Sequence, residues 1–357
     1  MSIDIEQVCP PDLPRVPWIP PVLRRLWRGP DVLQIGADPD RAVILEGVTP
    51  ALAEFLASID GFSPLERYLI EQAVPQSTVI DTLRRLHRAG CVVDLAPGDQ
   101  RPESAHHPMF SGRLVPEIAA RSLGALDAQP AEILNRRSRA RVVVVGGRRL
   151  GPMLGSLLAT SGIGRVDVIA HGRVDSSDVI PGGAPEASIG EARSSATRRA
   201  LRELYRDLTT GPLAPSESPD LVILADPWPL SDERERSLRA AGTPYLCAAV
   251  RERRVVIGPF VLPHESSCLR CQELYRTDHD PQWKAVAAQL AHAPARAIES
   301  GEIATVTLAA GFALTHALQW LDGERYPETI DATLEIALPD LVITRRAWPR
   351  HELCECW

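Results

Sequence analysis

Seven cysteines occur in the chain, and four of them are paired: Cys268 with Cys271 across Leu269 and Arg270, and Cys354 with Cys356 across Glu355. Four thiolates in a tetrahedron are the ligand set of a structural zinc site, and a CxxC turn supplies two of them from one tight knuckle. The second pair is CxC, one residue short of that spacing. His264 and His351 flank the pairs beside Pro263 and Pro349 and are substitute ligands if the CxC geometry fails. The alternative is four unrelated thiols. A zinc site of this kind stabilises model peptides by roughly 10–16 kcal/mol, so it would pin the last residues onto a turn lying before them in the fold. Such a quartet builds a scaffold and performs no reaction.

The second candidate is a glycine-rich turn, Gly146, Gly147, Arg148, Arg149, Leu150 and Gly151, directly after the apolar run 141–145. Between a strand and a helix, glycines let the backbone approach a phosphate and turn the helix N-terminus toward it. Taken alone, such a turn also occurs with no ligand. Arg148, Arg149 and, further on, Arg193 would serve a phosphate as plain cations. Cys247 is the one candidate for a thioester in this half, but its setting between Tyr245, Leu246, Ala248 and Ala249 predicts a small buried hydrophobe. His106 and His107 read as loop.

The elements that must position these residues alternate in type. Strands are expected at 141–145, 166–170, 220–225 and 244–250, with helices over 151–161, 191–208 and 232–241 between them. A β-rich stretch at 255–262 and a long helix over 303–321 follow. Strands alternating with helices predict a parallel sheet and an α/β domain, placed at residues 139–357.

The first part of the chain has a different texture. Residues 1–13 read as irregular. Short β-type runs at 32–36 and 42–46 flank a turn composition and make a hairpin. Thr49 before Pro50, and Ser63 before Pro64 with Glu66, are helix starts, and Ser77 or Thr78 opens an amphipathic helix to Ala89 that Gly90 stops. A strand follows at 91–95. Strand pair, three helices and a closing strand is the order of a winged helix-turn-helix, so residues 14–97 are expected to form a small α+β module, with 98–138 a linker and docking helix. Arg84, Arg85 and Arg88 would suit a DNA-recognition helix, yet a net charge of −7 and a pI near 5.8 argue for a solvated face instead. Peptide binding and a packing module that merely covers the α/β domain are the two other readings.

At 357 residues the chain is long enough for two domains with full cores. Cys9, Cys91 and Cys247 remain without an obvious partner, which fits a reducing compartment and no structural disulfide. The N-terminus has neither a basic nor an apolar signal region, and apolar runs such as 141–146 are too short to span a bilayer. A cytoplasmic location without membrane contact is expected.

The strand, the turn Gly146 to Gly151, the helix, then Ser161, Gly162, Ile163, Gly164, Arg165 and Val166 leading into the next strand resemble the start of the ThiF superfamily of ubiquitin-activating-like adenylyltransferases. The resemblance covers roughly residues 139–357 and includes a late strand hairpin, the CxxC knuckle, the long helix and the final cysteine pair. It implies a Rossmann-like fold that binds ATP on the glycine-rich turn and adenylates the C-terminal carboxylate of a small protein. The sequence departs from the family pattern where that chemistry sits. The family turn is G-x-G-G-x-G, and here its middle pair is Arg148 and Arg149, where any positive φ would cost roughly 1–2 kcal/mol. The ribose-holding acid falls on Ala170 and its acidic neighbour on Gly172. An Asn-Leu-Asn-Arg segment is replaced by Asp175, Ser176, Ser177, Asp178, Val179, Ile180 and Pro181. The helix lysine is Arg193, and the metal-binding aspartate falls on Pro227, with Asp226 one place early. Gly146, Gly147, Gly151, Arg193 and Asp226 then mark a vestigial nucleotide site.

One branch of the superfamily combines a degenerate nucleotide site, a terminal zinc knuckle and an N-terminal module of this kind: the ThiF-like partner proteins of azole- and azoline-forming peptide maturation systems. The resemblance implies a non-catalytic scaffold whose module takes a precursor's leader peptide as an added strand against its third helix. Val32, Gln34, Val43, Leu45, Arg84 and Arg88 would contact that peptide, a YcaO-type cyclodehydratase would be the partner, and two ThiF-like domains would form a homodimer. The alternative is an active adenylyltransferase that holds phosphate with arginine.

Overall fold

Apolar residues between positions 13 and 92 close around one small core. The computed structural model describes residues 10–70, 73–95, 112–123, 130–206, 208–225, 232–291, 301–323 and 326–356, and the chain divides into two compact units, Met1–Asn135 and Arg136–Trp357. The first unit contains β1 (Pro17–Trp18), β2 (Arg25–Trp27), β3 (Leu33–Ile35), β4 (Val43–Leu45), α1 (Pro50–Ser58), α2 (Leu65–Ile70), α3 (Gln76–Arg88), β5 (Val93–Asp94) and α4 (Val115–Ser122); α5 (Pro130–Arg139) crosses into the second. β2, β3 and β4 pair antiparallel in that order, with Gln34 opposite Leu26 on one side and Ile44 on the other. Strand alternation sends Leu33, Ile35, Val43 and Leu45 into the core, where they meet Phe55, Leu56, Leu65, Val79, Leu83 and Leu86.

The local signals account for most of these elements. Thr49 caps α1, its hydroxyl accepting the Leu52 N–H at 3.2 Å, and Pro50 stands in the first turn. The helix expected to open at Ser77 or Thr78 starts at Gln76 instead, behind Pro75 and with no side-chain cap. The closing strand departs from a winged helix-turn-helix: β5 pairs with β1, Pro17 opposite Asp94, in a separate two-stranded ribbon. The Asp94 carboxylate fastens that ribbon by accepting the Arg15 and Val16 N–H groups at 2.9 and 3.0 Å. Helix α4, in the stretch expected to be linker and docking helix, runs to Ser122, and residues 124–129 lie outside the described ones.

The second unit contains β6 (Arg141–Val145), α6 (Leu150–Thr160), β7 (Arg165–Ile169), α7 (Arg193–Leu204), β8 (Leu221–Leu224), α8 (Asp232–Ala240), β9 (Tyr245–Arg251), β10 (Arg254–Val261), α9 (Leu269–His279), α10 (Trp283–Ala291), α11 (Ile303–Asp322), β11 (Ala332–Ala337) and β12 (Val342–Ala347). All seven strands form one sheet in the order β12-β11-β10-β9-β8-β6-β7. The stretch from β9 to β7 is parallel, and β9 to β12 is antiparallel. It is therefore a mixed sheet with a parallel half, Rossmann-like as expected. Leu221 and Ile223 of β8 enter one core with α6 and α11, while Val222 and Leu224 enter another with Leu238, Leu269 and the four paired cysteines. Both faces are covered, which is why the strand is apolar at every position.

Helix α11 corrects one expectation. By length and composition it is long and apolar enough to cross a membrane, unlike the short runs singled out in the sequence. Its face of Ala309, Ala310, Ala313 and Ala317 is fully buried in the core of the sheet unit, and small side chains there let the helix approach the strands closely.

Candidate functional site

The CxxC and CxC pairs meet. Cys268 stands at the N-cap of α9 and Cys271 in its first turn, and the final pair lies back on them. Their Sγ atoms are 3.9 Å apart for Cys268 and Cys271, 3.6 Å for Cys268 and Cys354, and 3.5 Å for Cys271 and Cys356; all four lie within 4.8 Å of one another. A Zn–S bond of about 2.3 Å places tetrahedral ligands about 3.8 Å apart, so the donor set fits such an ion and CxC is no obstacle. All four thiols are buried. Cys271 is drawn down to about 4 by the hydrogen bond with Cys268, assisted by the His351 backbone N–H and opposed by burial. Cys268 is driven up by the same bond and by burial, and burial pushes Cys354 up to about 12. Alone, the quartet sustains little of its negative charge, which a divalent cation would relieve.

Neither histidine joins it. His351 Nε2 lies 2.7 Å from an Asp278 carboxylate oxygen and its Nδ1 accepts the Leu353 N–H at 3.1 Å. His264 is exposed at φ 68°, its carbonyl held by Arg350 at 2.7 Å. The knuckle is braced by Tyr275, edge-on to His351 at 4.7 Å, and by Glu273, which accepts from Arg276 and from the Trp283 indole, both at 2.7 Å.

The glycine-rich turn lies at the C-terminal end of β6, where the chain order reverses between β7 on one side and β8 on the other, the usual place for a ligand in such sheets. Gly146 and Gly147 take φ of 83° and 71°, and neither Arg148 nor Arg149 has a positive φ; the strain expected at the arginines falls on glycines. A Cβ on Gly147 would stand 2.5 Å from the Ala225 carbonyl, and one on Gly151 2.1 Å from that of Gly146. These glycines are thus required by packing of the turn itself. Arg149 is turned away, its Nη1 donating to the Gly301 carbonyl at 2.5 Å.

Arg148 and Arg193 converge on carboxylates of the segment after β7. Asp178 Oδ1 accepts Arg148 Nε at 2.9 Å and its Oδ2 accepts Arg193 Nε at 2.8 Å. Asp175 is bonded by Arg148 Nη2 and lies 3.8 Å from Arg193 Nη2. The Ser177 hydroxyl first, then the Ser177 N–H and the Arg148 and Arg193 guanidinium charges, hold Asp175 below the usual carboxylate range, with burial opposing. Sequence reading found the cations but missed their partners. At the end of β7, Ala170 and Gly172 offer no carboxylate, and Gly172 packs under the Arg193 guanidinium. Asp226 lies outside the described residues. A cavity of about 590 Å³ at the opposite ends of the strands, lined by Arg139, Asp220, Pro244 and Trp320 among others, is remote from this corner.

In the first unit, β4 is an edge strand among the described residues. Flanking β3, the Gly36 N–H donates to the Arg24 carbonyl and the Arg28 N–H to the Val32 carbonyl, both at 2.9 Å, so Gln34 between them bonds toward β2, and Leu33 and Ile35 bond toward β4. Ile44, between their partners, points its N–H and C=O outward. Its carbonyl accepts Arg85 Nη2 of α3 at 2.8 Å. Of the residues expected at a peptide, Val43 and Leu45 are buried in the core and can offer only backbone; Val32 and Gln34 are half-buried, with Gln34 bonded to the Gly36 carbonyl. Arg84 is held by Asp12 at 2.6 Å and Asp81 at 3.3 Å, and Arg88 is exposed. Ile44, between the buried Val43 and Leu45, and Arg85, whose guanidinium reaches its carbonyl, are the residues at the edge. Cys247 is partly buried beside the knuckle core, and burial pushes its thiol up to about 12, the opposite of an activated nucleophile.

Residues 120–357 match the family model of the ThiF family. No curated protein sequence matches the chain. Among solved structures, MccB of E. coli with ATP has a TM-score of 0.66 at 16% identity, covering 95% of this chain and 99% of that one. The microcin C7 biosynthetic enzyme MccB in complex with N-formylated MccA has a TM-score of 0.64 at 15% identity, covering 95% and 99%. PaaA has 0.65 at 14% identity, covering 92% and 99%. At these identities the likeness shows a shared fold.

Proposed function

The chain belongs to the ThiF family, and from that premise we propose that it is a non-catalytic scaffold: it takes a precursor's leader peptide on its first unit and presents it to a YcaO-type cyclodehydratase in modified-peptide biosynthesis. The observation that carries the proposal is the edge of β4, where Ile44 directs its N–H away from the sheet and its carbonyl, now held by Arg85 of α3, in the same direction. An extended peptide needs such groups to add as a strand. The lack of a carboxylate at Ala170 and Gly172, and the engagement of Arg148 and Arg193 by Asp175 and Asp178, support the absence of ATP chemistry. The cysteine quartet holds one zinc ion that fastens the last residues to α9. The protein works in the cytoplasm as a homodimer through its ThiF-like domain.

A second reading, an adenylyltransferase for a small carrier protein, is favoured by one observation: MccB, similar in fold, has been solved with ATP. Two measurements on the full chain separate them. The scaffold reading expects a precursor peptide encoded beside the gene to bind at micromolar strength, with no ATP–pyrophosphate exchange. Exchange that Arg193→Ala abolishes would overturn it in favour of the adenylyltransferase.

A further inference from the structure

Asp178 is 1% exposed, and its carboxylate is shared between two guanidinium groups: Arg148 Nε at 2.9 Å on one oxygen, Arg193 Nε at 2.8 Å on the other. The second oxygen also accepts the Asp175 N–H at 2.9 Å. Asp175 adds a second negative charge against the same two arginines, so the four side chains form a neutral cluster. An anion whose oxygens are divided between two planar forks is what a bound phosphate group would be here. The place suits one as well, since Arg193 is the first residue of α7, an end that favours negative charge, and the cluster lies beside the switch point of the sheet.

We propose that Asp178 and Asp175 are a built-in plug: they occupy, from within the chain, a latent polyphosphate site whose two arginines bind inorganic pyrophosphate once the carboxylate charge is removed. The plug rides on a segment closed on itself. Val174 N–H donates to the Glu191 carbonyl at 2.9 Å and Gly190 N–H to that of Val174 at 2.8 Å, while the Ser156 hydroxyl holds Gly182 on α6 at 2.7 Å. Removing the carboxylate charges leaves two cations facing one another with no counter-charge from Asp175 or Asp178 between them, which costs free energy that an added anion relieves. The inference rests on the reading of this corner as closed to ATP in the native protein.

Titration calorimetry of the full chain with inorganic pyrophosphate at low salt tests it. The native protein is expected to show no binding at millimolar concentration. Asp175→Asn with Asp178→Asn is expected to bind at least tenfold more tightly, more weakly as salt rises, and to lose the gain when Arg193→Ala is added. Asp175 and Asp178 form a reciprocal capping box on their turn, and Asn serves as an N-cap as well as Asp does, so Asp175→Asn alone is the second variant, with a smaller gain in the same direction; circular dichroism verifies that each is folded. Folded variants that gain nothing overturn the plug while leaving an inert native protein, and hence the scaffold, standing. A native protein that binds pyrophosphate as tightly as the double variant overturns it too, whereas ATP–pyrophosphate exchange by the native protein sinks the scaffold reading itself.

Discussion

Arg137 and Asp322, 185 residues apart in the chain, form a fork-to-fork ion pair with both side chains fully buried: Nε to Oδ1 at 2.7 Å and Nη2 to Oδ2 at 2.8 Å. The third guanidinium nitrogen donates to the Ser161 carbonyl at 3.0 Å, so one arginine ties the end of α5, the C-cap of α6 and the end of α11 together. Breaking such a pair on one side strands a charge in the interior, at a cost of about 3–5 kcal/mol. Arg137→Ala and Asp322→Ala are each expected to lower the unfolding free energy by that amount, read as a fall in the urea midpoint at unchanged slope. A loss under about 1 kcal/mol in both would mean that water reaches the pair.

Zinc content is expected to be one ion per chain by elemental analysis, and Cys268→Ser or Cys356→Ser should remove it. Since Cys268 and Cys354 hold their protons strongly in the bare quartet, metal must displace them. Binding therefore strengthens as pH rises and releases protons in weakly buffered solution. Chelation should lower the melting temperature of the sheet unit, and a chelated protein that melts unchanged would remove the structural role.

Much of the sheet unit is legible because the parallel strands β6 and β8 are apolar runs at 142–145 and 221–224, and in the first unit Thr49 and Gly90 mark helix ends in the sequence. What escaped reading has physical reasons. Pro17–Trp18 and Arg25–Trp27 are two or three residues long in proline-rich chain, too short for a period to register. β12 is exposed at every position, so no inside–outside alternation betrays it. Among the site residues, CxxC and CxC are local in spacing and could be paired by chemistry alone, whereas Arg148, after β6, meets Asp178, after β7, only because those two strands pair side by side. Val43 and Leu45 were assigned to a peptide by position on a hairpin, but the same alternation that makes a strand buries them and leaves Ile44 at the edge.

Cys247 gives a pH-dependent expectation. Its folded thiol titrates near 12 against an ordinary 9, chiefly through burial, so folding favours the protonated form. The stability this contributes is present in full below pH 9 and is lost as pH rises from 9 toward 12. Cys247→Ala should flatten that part of the stability profile. At pH 8 the native thiol should resist iodoacetamide, with mass spectrometry finding it labelled only after unfolding; rapid native labelling would reopen the case for a reactive cysteine.

The β4 edge makes the most direct test of peptide capture. Because the Ile44 N–H points away from β3, Ile44→Pro removes an outward donor without breaking a bond of the sheet, a substitution edge strands accept. Stability should change by about 1 kcal/mol or less, while binding of a precursor peptide should weaken at least tenfold in fluorescence anisotropy. Arg85 now bonds the Ile44 carbonyl and must leave it before a strand's N–H can take its place, so Arg85→Ala should bind the peptide more tightly than the native chain unless the guanidinium finds a carboxylate on the peptide. A peptide carrying Glu opposite Ile44 should then lose affinity in Arg85→Ala where its Gln counterpart gains. Binding indifferent to Ile44→Pro would place the peptide away from this edge.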